Sequence, residues 1–373
     1  MCVFTSQAGV LVLSPILVDL ARDFDVSTAV AGQLRIVAAP VAALVAVAVA
    51  RARLSYRLLL AGGAAFVAVG SVASAVAPSF VALAIAQVPL WIGISTLVAG
   101  GIGAAGAWSV PEERAHLVAR SLAGAPAAWI VGMPTIGWVA ETDWRLAFLA
   151  VPLPAAVATV GLLAAIPGGT SQRQVAPSLL RLLRAPRAGW WAIGELLAMS
   201  AWAGTLVFSG ALFVETYGAS ARLTGIVLAL MAAAYLAGNV LGGRMRGACA
   251  RRALAVGNVA AAVAVALTWV VRPNLLVTLA LFGLAAAIVA ARTVTGTTYG
   301  FALGGERKLE VGAARAVLTQ IGYLAGSLLG GVALAIGGEA AIGIAFGSLF
   351  LAAAAPYLLT WSTRCEIVPA PAA

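Results

Sequence analysis

Lysine occurs once in this chain of 373 residues, at position 308, and histidine once, at position 116. Charged residues of every kind make up 10% of it, against 62% hydrophobic residues and a mean hydropathy of +1.03. So few charges cannot dress an ordinary water-facing surface, and the chain belongs in lipid. Three cysteines, Cys2, Cys249 and Cys365, are too few and too scattered for a disulfide framework or a metal site. With one lysine and no glycine-rich loop ending in Lys and Ser or Thr, nothing is built to cradle ATP, which excludes a primary pump. Neither paired carboxylates nor a His/Glu metal pattern marks an intramembrane enzyme, so no cofactor and no metal are expected.

A net charge of +10 would point to nucleic acid in a soluble protein. Here the arginines sit in short clusters between apolar runs, where they report membrane topology instead. No nucleic-acid partner is expected. The longest polar interval, 167–189, carries Arg173, Arg181, Arg184 and Arg187 and no acidic residue. It reads as a basic connector between two similar halves.

Apolar stretches long enough for the roughly 30 Å hydrocarbon core fall on both sides of it. In the first half they lie at about 3–20, 28–50, 58–77, 79–107, 118–140 and 144–166. Their counterparts lie at about 190–214, 223–243, 253–271, 274–303, 313–336 and 340–361. The first begins without a basic leader, which reads as a retained helix rather than a cleaved signal. The expectation is an all-α integral membrane protein of twelve spans in two six-helix bundles, 1–166 and 190–361, with a linker at 167–189 and a short tail at 362–373. Most of the Arg residues fall in loops after even-numbered spans, which puts both termini in the cytoplasm. The halves also share a pattern. Gly32 precedes Arg51 and Arg53 by the intervals at which Gly225 precedes Arg244 and Arg246, and Arg120 and Arg315 stand at similar offsets. Internal duplication of this kind lets two bundles rock about a site.

One stretch resembles a known family. Gly124, Gly132-Met133-Pro134, Gly137 and then Trp144-Arg145-Leu146-Ala147-Phe148 look like the fifth span and exit of the major facilitator superfamily, nearest its drug:proton antiporter branch with arabinose-efflux-permease-like members. The opening, Pro15-Ile16-Leu17 through Val26-Ser27 and Ala31-Gly32-Gln33, is similar to the same branch. That resemblance implies the major facilitator fold, proton-driven export of small organic molecules, and a gating interface at Gly132, Pro134 and Gly137. Small residues and a proline also make sense without it, because they let a neighbouring helix approach closely and leave a bend. The chain departs from the pattern in two places. The first-half loop keeps basic Arg51 and Arg53 (its later copy is Arg244) but lacks the family's glycine and aspartate, and span 4 has Gln87 where an arginine is common.

Ionisable residues inside a membrane are costly, so each is a functional candidate. They are Asp19, Arg35, Glu195 and Arg292. Glu195 and Arg292 lie at comparable depths in spans 7 and 10, which in the resembled fold line the central cavity. Paired, they would hold a substrate or exchange a proton, since small movements drive a buried carboxylate between charged and neutral states. Snorkelling of Glu195 and lipid binding by Arg292 is the competing reading. Asp19, near the external end of span 1, either faces water or pairs across the outer mouth with Arg35, about two turns inside span 2. Gln87 is a candidate for a substrate hydrogen bond or a helix-to-helix bond. Trp129, Trp138, Trp144, Trp190, Trp191, Trp269 and Trp361 read as an interfacial belt, and the deeper Trp91, Trp202 and Phe208 as lining of an apolar substrate pocket or, more commonly, core packing.

The functional expectation is a monomeric, proton-coupled exporter of drug- or sugar-like molecules in the plasma membrane, whose partners are its small-molecule substrate, protons and lipid. An uncoupled facilitator or importer, or a non-transporting sensor, stays open.

Overall fold

The structure is a computed structural model that describes residues 1–37, 40–42, 44–45, 48, 54–107, 124–165, 186–244, 250–304 and 308–359. Expectations placed on Arg51, Arg53, His116, Arg120, Cys249, Trp361, Cys365, the linker up to residue 185 and the tail lie outside these residues, as does the side chain of Arg244.

Every regular element among the described residues is helical. The bilayer core offers no water to the backbone, and a helix satisfies its own amides. Nine of these helices are long and apolar enough to cross a membrane. The last, in Lys308–Leu359, is interrupted by Gly337 and Gly338 in non-helical conformation, Gly338 at φ 64°, so one continuous assignment contains two helical arms. Large apolar side chains face outward along the helices, Ile336 at 82% and Leu276 at 76% exposure among them. Such a surface suits lipid and would not stay dispersed in water.

Helix starts are set by polar caps at the ends of the apolar runs. Ser27, Ser55, Ser79 and Ser220 accept from the amides of Val30, Leu58, Ala82 and Leu223, and Asn274 Oδ1 accepts from Val277 N at 2.9 Å. A cap of this type contributes about 1 kcal/mol. The first span is a pair, α1 (Cys2–Leu11) and α2 (Leu13–Asp23), with Val12 between them still at helical angles. Pro15 explains the interruption, because it has no amide to give the Leu11 carbonyl.

The chain groups into two compact units, Met1–Ala176 with Ser209–Ala229, and Pro177–Phe208 with Leu230–Ala373. The first unit contains α1, α2, α3 (Thr28–Gly32), α4 (Tyr56–Ala75), α5 (Phe80–Ala107), α6 (Gly124–Ala140), α7 (Ala147–Ala150) and α8 (Pro152–Ala165). Close backbone approach joins α4 to α5: a Cβ on Gly70 would stand 2.6 Å from Leu90 Cα. Thr5 on α1 donates to the Ala155 carbonyl of α8 at 3.0 Å and meets Thr159 Oγ1 at 2.8 Å.

The Trp144-Arg145 motif has a local task in this unit. Arg145 Nη1 donates to Asp23 Oδ2 at 2.7 Å, and Trp144 Nε1 donates to the same oxygen at 3.3 Å. The guanidinium also lies 4.4 Å from the Trp144 ring centroid and 5.5 Å from that of Phe24. Phe24 packs edge-on against Trp144 at 5.5 Å, and Trp144 against Phe148 at 6.3 Å. The motif therefore clamps the end of α2 to the start of α7.

The second unit is built from α9 (Pro186–Tyr217) up to Phe208, α10 (Ala221–Arg244) from Leu230, α11 (Ala250–Val270), α12 (Leu275–Gly304) and α13 (Lys308–Leu359). Helix α9 starts inside the expected linker, with Pro186 at its first position, where a missing amide costs nothing. The interfacial belt needs correction. Trp138 and Trp190 are exposed at 63% and 43%, but Trp144, Trp191 and Trp269 are buried at 6%, 1% and 1%. A tryptophan near a span end has the same signature whether it meets lipid headgroups or neighbouring helices.

Replacing Gly70 by Leu drives a side chain into the Leu90 backbone, which cannot yield, and is expected to cost about 1–3 kcal/mol or more. Gly161 faces open space, and Gly161→Leu is expected to be neutral or slightly stabilising. Unfolding midpoints of the two purified variants check this; equal midpoints would refute the close packing of α4 on α5.

Candidate functional site

The second unit brings three charged side chains together in its interior. Glu195 on α9 is fully buried, and its two oxygens are both taken. Arg292 Nη2, on α12, donates to Oε1 at 2.5 Å, and Arg315 Nη1, on α13, donates to Oε2 at 2.6 Å. Side-chain exposure is 0% for Glu195 and Arg292 and 17% for Arg315. Asn258 on α11 joins them, accepting from Arg292 Nε at 3.0 Å while its amide donates to the Ala353 carbonyl at 3.3 Å. Tyr357 lies within electrostatic reach of Glu195 and Arg292, and Tyr235 within reach of Arg292 and Arg315.

Glycines make the room. A Cβ on Gly296, one turn after Arg292, would collide with Glu195 Oε1, and one on Gly194 would stand 2.8 Å from the Tyr357 hydroxyl. Trp191, one turn before Glu195, covers Gly300 and donates from Nε1 to the Gly296 carbonyl at 2.8 Å, which fixes α9 against α12. The ladder Gly322, Gly326, Gly330 fixes α9 against α13: a Cβ on Gly322 would stand 2.8 Å from Met199 Cβ, and one on Gly326 2.6 Å from Gly204 N. As residue numbers rise together along this contact, the helices run the same way, and continuing it back one or two turns sets Glu195 opposite Arg315. This glycine ladder is a packing seam of the unit.

Taking one carboxylate and two guanidiniums out of water costs several kcal/mol per ion, and mutual attraction repays it only with good geometry. The geometry is good for the carboxylate, and less complete for the cations. Arg292 Nη1 is buried and makes no hydrogen bond of good geometry among the described residues, while the Tyr357 hydroxyl contacts Arg292, and Thr293 contacts Tyr235, only in loose polar contacts. With one negative and two positive groups among the described residues, the cluster carries an excess positive charge.

The other candidates lie apart from it. Asp19 pairs with Arg22 at 3.7 Å on an exposed face. Arg35 is buried at 2% exposure, and its Nη2 donates to the Val10 carbonyl. Gln87 is buried and donates to Ser74 Oγ at 3.0 Å, a bond from α5 to α4. On α6, Gly132 faces Leu11, and Gly137 lies against the Ala221 carbonyl and Gly225, with its Cβ position 3.1 Å from Gly225 Cα. Pro134, between them, leaves the Ile130 carbonyl without its usual donor. Arg315 and Asn258 are absent from the candidates named from sequence. Arg315 was visible only as a partner in the internal duplication, and Asn258 is a neutral amide in an apolar run.

Helices long and apolar enough to span a membrane, with large apolar side chains on their outer faces, are those of a multi-pass membrane protein. The chain belongs to the Major Facilitator Superfamily, whose family model matches residues 1–220. No curated protein sequence matches the chain. Solved structures share its fold at low identity. A bacterial homologue of the human lysosomal transporter Spinster, inward-facing and occupied, aligns over 100% of this chain and 97% of its own with 17% identity and a TM-score of 0.76. A D-xylose-proton symporter aligns over 99% and 96% with 16% identity and a TM-score of 0.75. The xylose transporter XylE from E. coli, partially occluded and inward-open, aligns over 96% and 95% with 14% identity and a TM-score of 0.73.

Breaking the cluster from one side leaves a charge stranded. Glu195→Leu, which sets two guanidiniums side by side, is expected to cost roughly 3–5 kcal/mol. The double variant Glu195→Leu/Arg315→Leu removes one of them and is expected to recover part of that loss, read as unfolding midpoints of purified protein in detergent. Strictly additive losses would show that the ions do not depend on one another.

Proposed function

We propose that this protein is a proton-coupled secondary transporter that exports small organic molecules, drug- or sugar-like, across the plasma membrane by alternating access, with Glu195 taking and releasing the proton. The observation that carries the reading is a fully buried carboxylate whose two oxygens are held by arginines from two different helices. In a dry interior the charge on such a group depends steeply on where its partners stand. A helix movement that draws Arg292 or Arg315 away favours the protonated form, and return of the arginine expels the proton. Proton binding is thereby tied to helix arrangement, which is what coupling requires.

Three further points support it. The fold is shared with a D-xylose-proton symporter. The Gly132, Pro134 and Gly137 helix resembles the antiporter branch, which favours export in exchange for protons and a gating role for that helix. Two similar halves, 1–166 and 190–361, suit a rocking mechanism in a monomer with both termini in the cytoplasm, where Arg51, Arg53 and Arg244 would line the inner face. Asp19, Arg35 and Gln87 belong to the proposed solute and proton pathway in supporting places.

Inverted, acidified vesicles containing the protein provide the test, challenged with lipophilic drugs, sugars and amino acids while internal pH is followed. One compound class is expected to evoke saturable proton release in the wild type and at least about tenfold less in Glu195→Gln, a loss equivalent to about 1.4 kcal/mol. Saturable solute flux without proton movement would overturn the coupling and leave a facilitator. Wild-type coupling retained in Glu195→Gln would remove Glu195 from the proton path.

A further inference from the structure

Among the described residues the charge count of the buried cluster does not close. Two guanidiniums face one carboxylate, and the other polar groups around them from each packed helix are neutral at physiological pH. These are Tyr235 on α10, Asn258 on α11, Thr293 and Tyr299 on α12, and Tyr323 and Tyr357 on α13. No second acidic side chain among the described residues reaches the cluster. Arg292 adds a second signal, because among the described residues its Nη1 is buried without a hydrogen bond of good geometry, in only loose contact with Tyr357. A guanidinium is never neutral in a protein, so the excess charge cannot be shed by losing a proton. Among the described residues nothing balances it, and an anion that arrives from outside the cluster would.

We propose that the transported solute carries a carboxylate, bound by Arg315 and the unfilled edge of Arg292 beside Glu195. This names the substrate class of the transporter and rests on the transport reading. A carboxylate fits better than a phosphate ester. One unit of negative charge makes two cations against two anions, whereas a phosphate near neutral pH brings close to two. It fits better than chloride as well, because the planar fork of an arginine matches two carboxylate oxygens. Arg315 is the entry point, being the one member with exposed side-chain surface, 17% against 0% for its partners. The Tyr357 hydroxyl, in loose polar contact with Arg292 and with its own proton uncommitted to a well-formed hydrogen bond, is placed to donate to the same anion.

The test uses the purified full chain in detergent with sodium acetate as probe and acetamide as its uncharged match, ionic strength being held constant with sodium chloride. Acetate is expected to raise the unfolding midpoint of the wild type where acetamide does not. The effect should strengthen in Glu195→Gln, which removes the internal competitor, and weaken on the order of tenfold in apparent affinity in Arg315→Gln. Equal effects of acetate and acetamide on the wild type would overturn the proposal, and so would an acetate effect undiminished in Arg315→Gln. The wild-type comparison stands even where a variant fails to fold. Failures of the two readings are distinguishable: acetate-specific stabilisation without flux of any solute keeps the anion site and removes the transporter. Saturable flux of uncharged solutes without acetate-specific stabilisation does the reverse.

Discussion

A carboxylate with both oxygens held by guanidiniums, among helices whose outer faces meet lipid, is the constraint around which the second unit is arranged. Charges at that depth must touch, because no water is there to solvate them separately. Touching requires α9, α12 and α13 to approach more closely than large side chains permit. The glycines at 194, 296 and 300 and the ladder at 322, 326 and 330 supply that approach. What reads in sequence as a stripe of small residues is here the means of holding an ion cluster together.

The first unit handles charge in another way. Its Arg145–Asp23 pair lies at helix ends, with side-chain exposures of 29% and 42%, where water screens both partners. An exposed pair of this sort contributes about 0–1 kcal/mol by itself. Stacking of the guanidinium on Trp144 and Phe24 adds about 0.5–1 kcal/mol per contact and fixes direction. The motif thus ties one helix end to another through several modest interactions. The buried cluster of the second unit concentrates a large desolvation cost and a large attraction in a few atoms.

The difference governs what could be read in advance. A helical membrane protein was legible from the scarcity of charge and the length of the apolar runs, both direct consequences of bilayer physics. Glu195 and Arg292 stood out because ionisable residues inside such runs are rare. Arg315 did not, because it sits one turn from a polar loop, where an arginine ordinarily fixes topology. Asn258 gave no signal, since one amide in a poly-apolar helix has many uses, and its role depends on a residue on another helix. The tryptophans failed for a related reason: position along a span is visible in sequence, but the face of the helix that each occupies is not. Trp144 and Trp191 face inward while Trp190, adjacent to Trp191, faces out.

Stability by itself does not account for the cluster. Replacing a buried ion pair or triad by apolar residues of similar volume is often neutral or stabilising by about 1–4 kcal/mol, so a chain needing only a packed core has no use for one. An arrangement with surplus positive charge and an unfilled hydrogen-bonding edge is less stable still than a balanced pair. It makes physical sense in a protein that must change state, because groups so poorly satisfied respond strongly to any partner that satisfies them. On the proposed readings, a proton on Glu195 would release the arginines, and an incoming anion would recruit them. In either case a small addition shifts the balance between helix arrangements by an energy comparable to what separates them. On the proposed reading, the incompleteness of the cluster is the property that would fit it to transport.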